Sequence, residues 1–383
     1  MKRLSGWQLV TVCIHGTIVG ITAACAQVPQ MAQVSPVESS AATALPPAIS
    51  QARSRWQPVP WSELPGLNDD PLFEAWNAWL KSCEKPLPVF VSVCSEARRM
   101  SIADNAQQLE WLKSRLQPYR VEALQGDDAG LLTAYFEPVL QGSRTPTADF
   151  KVPVHRPPAS LGVRKPWFSR KEIDTLPEAQ AALRGREIVW LADPVDALVL
   201  HIQGSGRIQL ASAAGATGAA AQQIRLAYAG TNDQPYKSVG RWLLDLGEIR
   251  DASWPGIKAW VAQNPARVQE MLWGNPRVVF FREEALAAGE PQGGPRGAQG
   301  VALTPGRSIA VDPGSIPYGT PVWLSSSGPQ TVLNKLVIAQ DTGSAITGAV
   351  RADYFAGIGS EAGELAGRLK QGLKLWVLWP KTP

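Results

Sequence analysis

Three aspartates sit on separate turns between apolar stretches in the last fifth of the chain. Asp312 lies in Ser308-Ile-Ala-Val-Asp-Pro-Gly-Ser-Ile-Pro-Tyr-Gly-Thr320, Asp341 in Leu336-Val-Ile-Ala-Gln-Asp-Thr-Gly-Ser-Ala-Ile-Thr-Gly348, and Asp353 in Arg351-Ala-Asp-Tyr-Phe355. Each is placed where a strand is expected to meet a glycine or proline turn, the position at which a rigid scaffold holds reactive groups. Carboxyls held this way serve general acid and base chemistry. An aspartate at a turn also caps backbone N–H groups, and for any one of the three this is the simpler reading. Three together, beside glycines that permit close approach of a ligand, point to a site.

Other chemistries find less support. Gly204-Ser205-Gly206 lacks the full nucleophile-elbow pattern, and no free cysteine accompanies a histidine, so nucleophilic catalysis is set aside. The turn at Gln203–Gly206 also lacks a Walker or dinucleotide fingerprint, and its glycines suit backbone approach to a neutral polar ligand. His155 and His201 have no Cys or carboxylate at ligand spacing, so neither a metal nor a cofactor is expected. With 15 Trp, 6 Tyr and 8 Phe beside plentiful Gln, Ser and Thr, a carbohydrate groove fits the composition. About a third of these rings are expected to meet ligand, and the rest, such as Trp76 and Trp376, to fill the core.

At 383 residues, 45% hydrophobic and 18% charged, the chain can bury a core for one large or two ordinary domains. Its 37 basic and 33 acidic residues are interspersed, so no arm or stripe argues for nucleic acid. Residues 1–26 read as an export signal: Lys2 and Arg3, an apolar run from Leu9 to Ile21, then Ala23-Ala24-Cys25-Ala26. Cleavage after Ala26 gives a soluble protein. Cleavage before Cys25 leaves a cysteine for a lipid anchor, although Thr22 suits that signal poorly. Residues 27–54, rich in Ala, Ser, Pro, Gln and Val, are expected to form a flexible tether with a reach of roughly 30 Å. In an oxidising compartment Cys83 and Cys94 are expected to pair, two buried thiols being the alternative.

Two helices should open the folded part. Asn68, Asp69 or Asp70 caps the first, with Leu72, Trp76, Leu80 and Cys83 on one face; Asp104 caps the second, with a Leu109, Leu112, Leu116 stripe. Short strands follow over 130–136, 187–191, 197–203, 207–210 and 277–281, a spacing that suggests β-barrels. Helices are expected near 238–246 and 257–272, and the Gly/Pro-rich stretch 289–300 reads as a boundary or a mobile flap. Strands around Val301, Ile309, Val322 and Val337, a helix over 361–371 and the strand 373–379 would close a second barrel.

Four ordered motifs resemble the membrane-bound lytic murein transglycosylase A family. They are Gly130-Leu-Leu-Thr-Ala-Tyr-Phe-Glu-Pro138, His201-Ile-Gln-Gly-Ser-Gly206, Tyr228-Ala-Gly-Thr-Asn232 with Pro235-Tyr-Lys-Ser-Val-Gly-Arg241, and the three-aspartate segment. The resemblance runs from about Trp56 to Trp379. It implies a mainly β fold with peripheral helices: a double-psi β-barrel catalytic domain from residues 55–138 and 277–383, and a smaller β-barrel domain inserted over 139–276. It also implies a monomer, exported to the periplasm or anchored to the outer membrane, that acts on peptidoglycan glycan strands. The bond cut would lie between N-acetylmuramic acid and N-acetylglucosamine, leaving a 1,6-anhydromuramoyl end.

By the same resemblance Asp353 is the catalytic acid/base. From its position 12 residues upstream, Asp341 is expected to join the catalytic site by supplying a like charge or by orienting Asp353 through hydrogen bonds, while Asp312 is expected to serve mainly the turn beside a substrate-binding role. Thr133, Tyr135, Glu137, Gln203, Gly204 and Ser205 are the other candidate groove contacts. Glu137 stands where the best-known family member has threonine, and it adds a second acid. One extra residue separates Asp341 from Asp353. Ordinary glycosidases need two carboxylates, but a sugar whose own C6 hydroxyl attacks C1 needs one, because an intramolecular nucleophile has a very large effective concentration. That carboxyl must hold a proton, which burial or a nearby like charge would favour. The rival readings are a hydrolase on the same barrel, with Glu137 or Asp341 as base, and a non-catalytic murein-binding protein.

Overall fold

The computed structural model describes residues 45–211, 222–286 and 293–381. The expected signal peptide and most of the tether lie outside these residues. The tether ends earlier than expected, because Leu45–Ser54 is already part of the fold. Strand β1 (Ile49–Ser50) pairs with β2 (Arg55–Pro58), and Arg53 donates its backbone N–H to the Gly314 carbonyl at 2.9 Å. An edge pair needs only backbone groups, so a segment poor in apolar residues can still join a sheet.

A helical lobe follows: α1 (Leu72–Ser82), α2 (Val91–Arg99) and α3 (Asn105–Arg115). Leu72, Ala75, Trp76 and Trp79 bury one face of α1, and Trp76 packs edge to face on Trp79 and on Trp111, with centroids 5.4 and 5.5 Å apart. The cap of α1 differs from expectation. Asn105, far along the chain, accepts the Leu72 N–H at 2.8 Å, while Asp70 turns inward to Arg307 and the Leu336 N–H. Asp104 caps α3 in a reciprocal box with Gln107. Leu116, expected on the stripe of α3, instead starts a strand. Cys83 and Cys94 are joined in a disulfide that ties α1 to α2.

The remaining strands fall into two sheets. In chain order they are β3 (Leu116–Glu122), β4 (Gly130–Glu137), β5 (Val139–Ser143), β6 (Val152–His155), β7 (Glu187–Leu191), β8 (Gly206–Leu210), β9 (Gln223–Thr231) and β10 (Val279–Glu284). They continue with β11 (Ser308–Val311), β12 (Pro321–Ser327), β13 (Val332–Asp341), β14 (Arg351–Ile358) and β15 (Lys370–Pro380). The first sheet runs β1-β2-β3-β15-β12-β13-β11-β14-β4, and a further β4–β15 pairing closes its last six strands into a ring. Two pairs in that ring, β11 with β13 and β14 with β4, are parallel. This is the double-psi β-barrel. Its alternating inward residues, among them Ile309, Val322, Val337, Ala352, Leu375 and Val377, are fully buried.

The second, smaller barrel-like sheet has the order β10-β9-β8-β5-β7-β6 and its own core of Val154, Val189, Leu200, Ile208, Leu226 and Phe281. Since β10 pairs with β9, this sheet extends to Glu284, past the boundary expected at 276. Glu137, at the end of β4, is completely buried between Arg207 of β8 and Arg225 of β9, at 2.9 and 2.6 Å. Both guanidinium groups also donate to the Gly293 carbonyl.

The remaining helices are α4 (Arg170–Thr175), α5 (Pro177–Leu183), α6 (Pro194–Gln203), α7 (Val239–Asp245), α8 (Trp254–Gln263), α9 (Val268–Trp273) and α10 (Gly359–Arg368). Helix α6 overturns the strand expected at 197–203. Asp193 caps its first turn, Pro194 occupies its first position, and Gly204 ends it at φ +78°. Its burial on several faces removes the polar stripe that marks a helix in sequence. The helix expected over 257–272 divides at Pro265, and that expected over 361–371 stops at Arg368, where β15 takes over. The stretch 289–300 lies partly outside the described residues. Its described portion is pinned rather than flap-like, through Gly294 N–H to Leu303 O at 3.0 Å and Gln299 N–H to Gln340 O at 3.0 Å. Among the described residues no helix is long and apolar enough to cross a membrane.

Candidate active site

Strand register brings the two later aspartates together. Ala310 of β11 pairs with Asp341 of β13 on one side and Asp353 of β14 on the other, and Asp353 in turn faces Thr133 of β4. Two inter-strand steps place the aspartate backbones ~10 Å apart. The carboxyls therefore do not share a proton directly. Each has its own partners.

The Thr133 hydroxyl donates to Asp353 Oδ1 in a short contact and accepts from Arg351 Nη2 at 2.7 Å. Arg351 precedes Asp353 by two strand positions and so lies on the same face. Asp341 accepts the Tyr135 hydroxyl at 2.9 Å on Oδ2 and the Ala298 N–H at 2.9 Å on Oδ1. The Tyr135 ring leans on Phe355, with centroids 5.3 Å apart, which fixes the phenol.

Burial pushes the Asp353 carboxyl above the usual aspartate range, opposed by the Thr133 hydroxyl and the Arg351 charge. Asp341 is also raised by burial, opposed by the Thr342 and Ala298 N–H groups and by Tyr135, while the like charge of Asp353 adds to the rise. Burial, followed by the charge of Asp341, holds the Tyr135 phenol well above its ordinary value, so it remains a donor. The first cause of the elevation of Asp353 is thus desolvation, and the two carboxyls also feel each other's charge.

Both carboxyls open into one groove between the two sheets. Asp341 lines a section of about 630 Å3 with Tyr135, Gln203, Gly204, Ser205 and Tyr228. Asp353 lines an adjoining section of about 280 Å3 with Thr133, Gln203, Tyr236 and Arg351. Tyr135, Gln203, Arg277, Gly343 and Ser344 border both. Gln203 Oε1 accepts the Phe136 N–H at 3.0 Å, which aims the side chain across the groove. His201 also borders the smaller section, but its Nδ1 accepts the Val279 N–H at 3.1 Å. Burial, followed by the Arg170 and His155 charges, holds this imidazole well below its ordinary pKa, so it is neutral.

Thr133, Tyr135, Gln203, Gly204, Ser205, Asp341 and Asp353 therefore meet at the groove, and two expected contacts do not. Glu137 is wholly buried, with both carboxylate oxygens held by Arg207 and Arg225, so it can serve neither as a groove contact nor as a base. Asp312, 5% exposed, accepts from Arg53 at 2.9 Å, Gly314 N–H at 3.0 Å and Gly348 N–H at 2.8 Å. It braces two turns and lines neither section. Among the described residues no tryptophan lines the groove: besides His201 its rings are Tyr135, Tyr228 and Tyr236, while indoles such as Trp56, Trp76, Trp79 and Trp323 are core.

The sequence reading missed Arg351, Tyr228, Tyr236 and Arg277. Period-two spacing from Asp353 was a signal for the first. Tyr228 and Tyr236 lie in the motifs quoted above for the resemblance, and nothing local marks Arg277.

The sequence matches two family models, the MltA specific insert domain over residues 131–282 and the 3D domain over 307–379. Membrane-bound lytic murein transglycosylase A of Escherichia coli (strain K12) is 32% identical over 296 residues, covering 72% of this chain and 74% of that protein. Among solved structures, MltA from Neisseria gonorrhoeae superposes with a TM-score of 0.73 at 30% identity, over 89% of this chain and 96% of that one. The lytic transglycosylase LtgG of Burkholderia pseudomallei is 42% identical with a TM-score of 0.60, over 88% and 99%.

Proposed function

The chain belongs to the membrane-bound lytic murein transglycosylase A family, and from that premise we propose a mechanism in which one carboxyl, Asp353, acts twice. The protein is a lytic transglycosylase of peptidoglycan. A glycan strand lies in the groove between the two sheets, with the bond from N-acetylmuramic acid to N-acetylglucosamine over Asp353. The Asp353 carboxyl gives its proton to the glycosidic oxygen as the C1–O bond breaks. The C6 hydroxyl of the same muramoyl residue then bonds to C1 and passes its proton back to the Asp353 carboxylate. This closes the 1,6-anhydro ring and restores the acid without consuming water.

The observation that carries this reading is the raised carboxyl of Asp353 in the groove, held by Thr133 and with no second carboxyl in hydrogen-bond contact. Asp341 and Tyr135 act as a supporting pair that positions sugar hydroxyls, and Tyr228 and Tyr236 offer ring faces to sugar C–H surfaces. Water activation by Asp341 is disfavoured, because each of its oxygens already accepts a protein donor. The enzyme works as a monomer in the periplasm. Mass of the mature N-terminus distinguishes a lipid anchor on Cys25 from a soluble form.

Murein digestion tests the assignment. Asp353→Asn should lower release of anhydromuropeptides by at least about 100-fold with its circular dichroism unchanged. Near-normal release would reject Asp353.

A further inference from the structure

The larger section of the groove carries a charge pattern that neutral sugars do not require. Lys85, Arg277, Arg282 and Arg296 line it, against Asp341 alone among carboxylates. Arg282 is neutralised by Glu284 at 2.6 Å. Lys85, Arg277 and Arg296 have no ion pair among the described residues; they donate only to backbone carbonyls. Arg277 Nη1 reaches Gln234 O at 3.2 Å. Lys85 Nζ and Arg296 Nη1 converge on one acceptor, the Gly300 carbonyl, at 3.2 and 3.1 Å.

Two cations held on one neutral oxygen repel each other, and an anion between them would relieve that repulsion. Their placement is built rather than accidental. Lys85 follows the disulfide-tied end of α1, and Gln299 bonds the Ser82 hydroxyl and carbonyl while its own N–H reaches Gln340 O. The turn carrying Arg296 is thereby fixed beside Asp341, whose Oδ1 accepts the Ala298 N–H.

We propose that Lys85, Arg296 and Arg277 form a carboxylate-binding site that recognises the peptide stems of uncleaved peptidoglycan, so that the enzyme prefers stem-bearing strands over bare glycan. The proposal rests on the transglycosylase reading above. The stem springs from the lactyl group of the muramoyl residue at Asp353, and each extended stem residue reaches about 3.3 Å further. Arg277, which borders both sections, lies on the way to Lys85 and Arg296. Guanidinium groups pair with carboxylates in two-point geometry, and a lysine supplies a point charge.

Two measurements test this. Initial rates are compared on intact glycan strands and on the same strands stripped of stems by an amidase, for the wild type and for a Lys85→Gln/Arg296→Gln variant. Binding of an isolated stem peptide, and of the same peptide with its carboxyls amidated, is followed by calorimetry on the full chain. Stem-bearing strands should show a KM lower by about tenfold, the worth of one charge-assisted hydrogen bond. The double variant and raised salt should erode this advantage, and amidation should weaken peptide binding. Both variant positions are exposed, so the fold is not at risk. Equal KM for the two strands, or an advantage untouched by the double variant, overturns the proposal. Failure to cleave either strand while the peptide still binds in a carboxyl-dependent way would overturn the transglycosylase reading and leave the site standing.

Discussion

At Asp353 two opposing demands meet: the carboxyl must be protonated to give a proton and ionised to take one back. Burial raises its pKa while the Thr133 hydroxyl and Arg351 hold it down, which keeps both forms within reach. Thr133→Val removes the hydrogen bond that favours the ionised form, so the pKa of Asp353 rises further. The acid must be protonated for the first step, and activity falls as pH climbs through that value. The alkaline limb of the kcat/KM profile should therefore move to higher pH in Thr133→Val, and an unmoved or acid-shifted limb would contradict the coupling. The strand-to-turn position expected for Asp341 matches the end of β13, whereas Asp353 lies inside β14 and not on the turn expected for it. The place of Glu137 was not legible, because its partners lie 70 and 88 positions away and no local pattern announces a buried ion pair.

Elements deliver the acid residues by register and by close approach. The turn at 296–300 meets the end of β13 so tightly that a Cβ on Gly297 would fall 2.5 Å from the Gln340 carbonyl. Gly297→Ala should push this turn away and strip Asp341 of the Ala298 N–H. We expect turnover to drop on the order of 10-fold to 100-fold, as small misplacements of active-site groups do, with a stability loss of about 1–3 kcal/mol. Steady-state rates and a urea melt check both, and unchanged rates would remove Asp341 from its supporting role. Capping residues make α3 readable, but α6 reads as a strand because its apolar positions outnumber one face. The tryptophans misled for a related reason: indoles are large enough to be claimed by the core, leaving smaller phenols to face the groove.

On the scale of the molecule, the barrel and the inserted sheet meet at the Glu137–Arg207–Arg225 cluster. Glu137→Ala removes the carboxylate that both buried guanidinium groups share and should cost about 3–5 kcal/mol, measured by urea denaturation. A cost below about 1 kcal/mol, the usual worth of an exposed pair, would show that the junction is not a structural anchor. The mainly β architecture was readable from strand spacing and motif order, but which strands close the ring depends on β4 meeting both β14 and β15, pairings between segments more than 200 positions apart. The account turns on the identity of the attacking group, which product mass reports directly. Digestion of murein in oxygen-18 water should yield muramoyl ends one water lighter than hydrolysed ends and free of the heavy isotope. Reducing ends carrying oxygen-18 would show that water attacks, and would contradict the single-carboxyl mechanism.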